Sequence, residues 1–380
     1  MNIGIITCWK PDDNYGTQIQ CFALQTYLRT KGHNAFLIRY LRNNDQVKIP
    51  LAQRKLRNVI NPIKIARVVY VRLLSKRLQK FGNEHDRHSP EFRTRYLNQT
   101  KDYPSIFALQ ECPPAADLYI VGSDQVWNIN YRQINNIRAH FLNFGSKNTK
   151  RISYAASFGF DRDRLSKEYA ETVLPFLKDF DGVSVREQSG IDICRKIGVE
   201  NAIQVCDPTL LIEPEEYIEC FEKEKICLPQ EDYVLVYNLS ATSRLNVYEI
   251  KQWAEKQQCK LVYITGHGKN DRIEKIYPTV PEWVYLIANA KYVITNSFHG
   301  AVFSLMFHRK LAVFPITGSA FGNPNARFDT LIKLAGKDFI VRDKRGFIQV
   351  FEDDINWDKF ERNKAELVTI GRRFLEKYIN

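Results

Sequence analysis

Residues 292–301 read Tyr-Val-Ile-Thr-Asn-Ser-Phe-His-Gly-Ala, and they decide the fold of the second part of the chain. An apolar strand leads into polar residues, then His299 and Gly300, and then the apolar run Ala301–Met306. A strand that turns into a helix gathers unpaired backbone N–H groups at the positive end of the helix dipole. The pattern therefore predicts an anion site, where a histidine can bind a phosphate or transfer a proton near neutral pH. The same histidine could instead only cap the helix or bond within the core.

The bulk composition describes a globular protein of two domains. The chain has 380 residues, of which 44% are hydrophobic and 26% charged, and this length exceeds one ordinary core. No apolar run approaches the roughly 20 residues of a membrane span, and the strand-like Asn2–Thr7 does not resemble a signal peptide. Eight scattered cysteines without a CxxC pair indicate a reducing cytoplasm. No ligand spacing typical of zinc or calcium occurs, so we expect no metal.

One basic segment holds most of the net charge of +12. Residues 48–80 contain ten Lys and Arg residues and no acidic residue. We predict a basic helical insertion over residues 48–82, which could be a solvated helix, a membrane-binding surface or a nucleic-acid surface. No aromatic platform or nucleic-acid motif accompanies it. We therefore expect residues 48–80 to contact an anionic membrane or a diphosphate-linked lipid, and no nucleic acid.

Short apolar strands alternate with helices along the whole chain. In the first part they lie at Asn2–Thr7, Ala35–Tyr40, Asp117–Val121, Arg151–Ala156, Gly182–Val185 and Ala202–Val205. In the second part they lie at Tyr233–Asn238, Lys260–Thr265, Tyr292–Thr295, Leu311–Phe314 and Phe339–Ile340. This alternation predicts an α/β fold with two Rossmann-like domains facing across a cleft. We place the domains at residues 1–213 and 230–350, and expect a helix at 357–380 to pack back on the first domain.

Polar residues follow nearly every strand, where ligands bind in open α/β sheets. Arg186 comes directly after a buried strand, so it either pairs with a nearby carboxylate or clamps a bound carboxylate or phosphate. Arg327 follows a Gly/Asn/Pro loop later in the chain. Asp207 is expected to start a turn, Glu187 to cap its own helix, and Trp127 to pack in the core.

Six ordered blocks of these residues resemble the polysaccharide pyruvyl transferase family. The resemblance spans residues 3 to 335, and its blocks are Asn14–Thr17, Gly122–Asn128, Tyr154–Gly159, Val183–Glu187, Asp207–Leu211 and Ser297–Gly300. It implies a glycosyltransferase-B-like pair of domains. It also implies an enzyme that uses phosphoenolpyruvate to place a pyruvate ketal on two hydroxyls of a sugar. The sugar would belong to a bacterial surface polysaccharide or its lipid-diphosphate-linked precursor.

The resemblance also assigns residues to the donor. The family's histidine corresponds to His299, and two of its arginines to Arg186 and Arg327. Some members carry a further arginine where this chain has Ser297. If that arginine contacts the phosphate, Arg327 or Lys310 would have to replace it here, or the donor site differs. We also place Ser297 and Gly300 at the donor site, which needs no cofactor beyond phosphoenolpyruvate.

Ketal formation needs an acid near neutral pH and a base for the sugar hydroxyls. We predict His299 as the acid, and Asp124 as the base or as a residue that orients the acceptor. The expected acceptor contacts are Asn14, Tyr15, Gly16, Ser123 and Ser157. We expect the enzyme in the cytoplasm, peripheral at the inner face of the membrane.

Two other classes stay open from the sequence. A glycosyltransferase of the same build would use a nucleotide sugar and a carboxylate for its ribose, yet no glutamate lies between Tyr292 and Arg327. A non-catalytic glycan- or anion-binding protein would use the same strand ends without turnover.

Overall fold

The computed structural model of the chain describes residues 1–10, 14–41, 86–128, 134–160, 162–239, 244–266, 271–316, 325–342 and 345–380. The predicted basic insertion 48–82 lies outside the described residues. Within them, no helix is both long and apolar enough to cross a membrane. We call residues 1–213 the first half of the chain and residues 230–350 the second half.

The first half contains a five-stranded parallel sheet in the order β3-β2-β1-β4-β5. Its strands are β1 (Asn2–Ile6), β2 (Asn34–Tyr40), β3 (Gln99–Tyr103), β4 (Leu118–Val121) and β5 (Lys150–Ser153). Two short parallel strands, β6 (Ser184–Val185) and β7 (Ile203–Gln204), form a separate ladder. Single bridges from Ile152 to Gly182 and from Ala156 to Val185 place that ladder beside β5.

The second half contains a four-stranded parallel sheet in the order β11-β10-β8-β9. Its strands are β8 (Tyr233–Asn238), β9 (Lys260–Thr265), β10 (Tyr292–Thr295) and β11 (Lys310–Val313). Every residue of β4 and β8 is buried. Unbroken burial is typical of parallel strands that are covered on both faces by helices.

Helices alternate with these strands. They are α1 (Tyr15–Thr30), α2 (Ser89–Tyr96), α3 (Ile106–Glu111), α4 (Ile134–His140), α5 (Lys167–Leu177), α6 (Gln188–Ile197), α7 (Pro214–Cys220), α8 (Val247–Lys256), α9 (Val280–Ala288), α10 (Phe298–Met306), α11 (Arg327–Ala335), α12 (Phe347–Glu352) and α13 (Trp357–Ile379). Two parallel sheets with intervening helices confirm the predicted fold class. The expected strand at Phe339–Ile340 is only a single bridge between Val313 and Ile340.

The apolar core is continuous between the two halves. One cluster of buried residues includes the inner face of α1, both faces of the second sheet and the buried side of α13. Helix α13 contacts both halves, since Tyr378 donates to the carbonyl of Asp181 while the helix also packs on α11. The carboxyl ends of strands from both sheets therefore belong to one packed body.

Candidate active site

Helix α10 presents its first turn at the carboxyl end of β10. The Ser297 side chain caps the helix, because its Oγ accepts from the backbone N–H of Gly300 at 3.3 Å. A Cβ at Gly300 would lie 2.8 Å from Thr295 Oγ1, so the tight turn requires a glycine. His299 lies between them and is only 6% exposed. The turn thus fixes a nearly buried histidine at a helix N-terminus.

The imidazole of His299 reaches across to the first half of the chain. Its Nε2 lies 3.6 Å from Oδ2 of Asp207, three residues after the end of β7. On its other edge the ring lies against the backbone of Gly16 in the first turn of α1. The histidine, which belongs to the second half, is therefore held by residues of the first half.

Arg186, directly after β6, lies among three carboxylates and is 3% exposed. Its Nη1 donates to Asp207 Oδ2 at 2.9 Å, its Nε lies 3.3 Å from Glu187 Oε2, and its Nη2 lies 4.0 Å from Asp124 Oδ1. The guanidinium also stacks 4.3 Å from the Phe298 ring centroid. Such contacts set the plane of an arginine before any ligand arrives.

The pKa values of this cluster show how the charges balance. Burial alone would raise the pKa of Asp207, but His299 and Arg186 hold that pKa well below its usual range. Burial alone would lower the pKa of Arg186, but Glu187, Asp207 and Asp124 raise it further above its usual value. Both groups are therefore ionised at neutral pH.

The pKa of Arg327, at the start of α11, is lowered, whereas that of Arg186 is raised. Burial, and then repulsion from Arg186, lowers the pKa of Arg327 to about 10. The guanidinium stacks 5.3 Å from the ring centroid of Phe328. Asp124 and Glu187 oppose this lowering only in part, so the nearby carboxylates do not fully balance the charge of Arg327. An anionic ligand would balance the positive charge of Arg327.

Three buried nitrogen atoms of this cluster have no hydrogen-bond partner among the described residues. They are Nη2 of Arg186, Nε2 of His299 and Nε of Arg327. Buried polar groups are normally paired, and leaving one unpaired costs about 1–3 kcal/mol. Three of them in one charged cluster indicate a site for a polar, negatively charged ligand.

Asp124 lies at the rim of this site, on the loop after β4. Its side chain is 16% exposed, and its backbone adopts a positive φ of 68°. Ala155, after β5, also has a positive φ, of 50°. Such backbone costs energy in residues other than glycine and is concentrated at functional sites. The two loops thus hold Asp124 in a fixed place beside Arg186.

The predicted acceptor residues line the same edge of the first sheet, with their polar groups bonded to the protein. Asn14 caps α1 by accepting from the Gly16 N–H at 3.0 Å. The Ser123 hydroxyl donates to Gln20 at 2.9 Å, and that of Ser157 donates to Glu187. The Tyr15 hydroxyl donates to the Pro278 carbonyl at 2.6 Å. Their direct contact with an acceptor stays a prediction.

Two carboxylates of the site were not predicted. Asp207 does start a turn, because it accepts from the Thr209 N–H at 3.1 Å, but its other oxygen binds Arg186. The expectation for Glu187 was wrong: it precedes α6 without a side-chain cap bond and turns to Ser157 and Arg186 instead. Each residue lies within three positions of the end of a short strand, and this position was the signal that the sequence offered. Trp127 is buried and stacks on Phe141 at 5.1 Å, as expected.

One group of possible metal ligands occurs in the described part of the chain. Asp86, His88 and Glu91 can bring their ligand atoms within 4.8 Å of one another, and all three are exposed. Exposed acidic groups commonly occur without an ion. The cluster around His299 contains instead two arginines, which suit an anion rather than a cation.

Two parallel sheets with a charged cluster at their carboxyl ends define a two-domain α/β protein of the glycosyltransferase-B type. The structure is similar to UDP-N-acetylglucosamine 2-epimerase from Rickettsia bellii, with a TM-score of 0.54 and 10% identity over 99% of this chain and 95% of that chain. It is also similar to UDP-GlcNAc 2-epimerase from Methanocaldococcus jannaschii, with a TM-score of 0.52 and 12% identity over 97% and 93% of the two chains. Identities this low show the fold alone.

The sequence itself gives the family. The model of the polysaccharide pyruvyl transferase family matches residues 14–317, and the chain belongs to that family. A comparison with curated proteins gives no significant match. The matched range contains His299, Asp207, Arg186 and Asp124 but ends before Arg327.

Proposed function

We propose that the protein transfers the pyruvyl group of phosphoenolpyruvate onto two hydroxyls of a sugar, forming a ketal. The acceptor would be a bacterial surface polysaccharide or its lipid-diphosphate-linked precursor. The observation that carries the proposal is the set of three buried nitrogens on Arg186, His299 and Arg327 that have no hydrogen-bond partner in the described part of the chain. Family membership supports pyruvyl transfer, and this cluster supports a small donor with two anionic groups.

The two arginines would divide the binding of the donor. Phosphoenolpyruvate carries a carboxylate and a phosphate. Arg327 supplies positive charge that the nearby carboxylates Asp124 and Glu187 offset only in part, which suits the phosphate. Arg186 is already surrounded by carboxylates but keeps Nη2 free for one further acceptor oxygen. The N-terminus of α10 adds its dipole to the same place.

His299 would supply the proton that starts the reaction. A proton moves from the imidazole to the methylene carbon of the donor, which becomes a methyl group. The central carbon becomes electron-poor, and the first sugar hydroxyl forms a C–O bond there and loses its proton to Asp124. The C–O bond to phosphate then breaks, and the phosphate takes up the proton held by Asp124. The second hydroxyl forms the other C–O bond and gives its proton to the imidazole of His299, which restores the acid. Arg327 would stabilise the departing phosphate.

The ionised Asp207 would orient this acid. Its Oδ2 faces Nε2 of His299 and is fixed by Nη1 of Arg186. A carboxylate beside a catalytic histidine sets the ring orientation and the proton position. The arginine that binds the donor and the histidine that protonates it are thus linked through one oxygen atom.

The charge distribution of the sequence supports a proposal for the place of action. The segment 48–80, with its ten basic residues, would hold the protein peripherally at the anionic inner face of the membrane. A lipid-diphosphate-linked acceptor would be presented there. No cofactor or metal enters the proposed reaction.

Phosphate release tests the proposal. The protein is incubated with phosphoenolpyruvate and a panel of galactosides and glucosides, and free phosphate is followed over time. We expect release that depends on an acceptor, and we expect His299→Ala to lower kcat about 100- to 10,000-fold because the general acid is lost. Binding of phosphoenolpyruvate, measured by calorimetry, should survive the substitution.

The matched control is His308→Ala, which removes an exposed histidine just beyond the other end of α10. It should leave turnover unchanged. Consumption of a nucleotide sugar, with no phosphate released from phosphoenolpyruvate, would instead show a glycosyltransferase. Binding of either donor without any turnover would show a non-catalytic binding protein.

A further inference from the structure

The backbone of Gly16 lies against the ring of His299. A Cβ placed on Gly16 would come within 2.1 Å of Nδ1, 2.7 Å of Cγ and 3.0 Å of Cε1. Such distances are far inside van der Waals contact, so no other residue fits there without displacing the ring. Gly16 does not have a positive φ, and it lies in the regular helix α1. Its conformation therefore does not require a glycine, and the close approach of the imidazole does.

Asp207 bounds the ring on its other edge. Its Oδ2 lies 3.6 Å from Nε2, while the Phe298 ring meets the imidazole edge-on at 5.3 Å between centroids. A ring pushed away from Gly16 would change its distance and angle to Asp207. The position of Gly16 thus determines where the imidazole can point.

Tyr15 anchors this contact to the second half. Its hydroxyl donates to the Pro278 carbonyl at 2.6 Å, and its ring stacks on Trp283 with 5.4 Å between centroids. Both rings are almost fully buried. The first turn of α1, which belongs to the first half, is therefore fixed to helix α9 and to the segment just before it, both in the second half. The residue next to this anchor touches the histidine.

We propose that Gly16 is a positioning residue for His299, and that Tyr15 holds Gly16 in place for this purpose. The first half then contributes a surface against which the histidine of the second half is set. This gives Gly16 a role different from the acceptor contact expected from the sequence. The inference rests on the proposed function, in which His299 is the acid.

A double-mutant cycle tests this positioning role. Gly16→Ala should lower kcat about 100-fold, since a displacement near 1 Å can cost that much, while KM for phosphoenolpyruvate changes less than about threefold. In the His299→Ala background, Gly16→Ala should cause no further loss, because it acts only through the imidazole. An equal loss in both backgrounds would mean that Gly16 acts on the acceptor directly, and would overturn the inference.

A spectroscopic measurement keeps the test independent of turnover. The imidazole ¹⁵N resonances of His299, assigned by their absence in His299→Ala, should shift in Gly16→Ala and, by a smaller amount, in Tyr15→Phe. Gly346→Ala is the matched control, because its added methyl meets only the end of the Gln349 side chain. Unchanged His299 resonances in Gly16→Ala and Tyr15→Phe would contradict the inference. If wild-type protein releases no phosphate from phosphoenolpyruvate, the proposed function fails, and the resonance shifts still decide the positioning.

Discussion

Asp207 contacts Thr209, Arg186 and His299 at once, and the contacts with Arg186 and His299 depend on its charge. One oxygen caps the turn by accepting from the N–H and the hydroxyl of Thr209. The other accepts from Arg186 and faces His299. A buried carboxylate is tolerated only when its charge is paired and its lone pairs are bonded. Through Arg186 and His299, Asp207 therefore contributes both to the stability of the fold and to the site.

This pairing predicts how stability depends on pH. The pKa of Asp207 is lower in the folded protein than in the unfolded chain, where it is about 4. Its stabilisation is then fully present above pH 4 and is lost as the pH falls toward the folded value. Asp207→Asn should lower the free energy of unfolding at pH 7 by about 3 kcal/mol, because Arg186 loses a buried partner.

Urea denaturation at a series of pH values measures both effects. The difference between wild type and Asp207→Asn should shrink as the pH falls below 4, since the carboxylate then takes up a proton in the unfolded chain while it stays ionised in the folded protein. A difference that stays constant down to pH 2 would show that the charge of Asp207 does not stabilise the fold.

At the level of elements, two strands of two residues each bring the central ion pair together. Val185 of β6 pairs in parallel with Gln204 of β7. The residues that follow both strands emerge at the same edge, which puts Arg186 within 2.9 Å of Asp207. Helix α10 then starts from β10 and directs His299 toward the same point. The site depends on where these strands end, not on their length.

The cap of α10 can be tested separately from the chemistry. Ser297 bonds the Gly300 N–H of its own helix at 3.3 Å, although the sequence suggested a donor contact. Ser297→Ala should lower the free energy of unfolding by about 1 kcal/mol, the usual cost of losing an N-cap. Thermal unfolding followed by circular dichroism measures this.

Donor affinity separates the two roles of Ser297. If its hydroxyl serves the helix alone, Ser297→Ala should bind phosphoenolpyruvate within about threefold of wild type. A loss of affinity with unchanged stability would instead place the hydroxyl on the donor. Ser304→Ala is a suitable control, since its hydroxyl bonds the Gly300 carbonyl within the same helix.

On the scale of the whole molecule, α13 joins the two halves close to the site. A Cβ on its Gly371 would lie 2.6 Å from the Tyr154 hydroxyl oxygen and 3.0 Å from Cys206 Sγ. Cys206 immediately precedes Asp207, and the Tyr154 hydroxyl bonds its sulfur at 3.3 Å. The C-terminal helix therefore packs directly behind the carboxylate of the site.

Gly371→Ala should destabilise the whole protein rather than the site alone. Overpacking of a filled core costs about 1–3 kcal/mol, and here the added methyl pushes α13 away from β5 and the segment after β7. The urea midpoint should fall by the corresponding amount with an unchanged slope. An unaltered midpoint would contradict the tight packing described for this helix.

Much of the fold could be predicted because buried parallel strands have a clear pattern. Strands β1, β4, β8 and β10 are apolar runs that end in polar turns. Strand β3 (Gln99–Tyr103) was missed because Gln-Thr-Lys-Asp-Tyr has no apolar run. It lies at the edge of its sheet, where little of its surface needs to be buried. At the site, Arg186 and His299 could be singled out because each follows a strand.

The sequence by itself determined the α/β fold, the family and the strand ends that hold the candidate site residues. The reason is that burial and turns follow from local patterns in the sequence. Only the tertiary structure decided that Asp207 joins Arg186 to His299, and that Gly16 lies against the imidazole. These contacts join residues far apart in the sequence, and their geometry follows from how two sheets pack. The physical reason is that hydrophobic periodicity fixes which face of an element is buried, but not which distant side chain it meets.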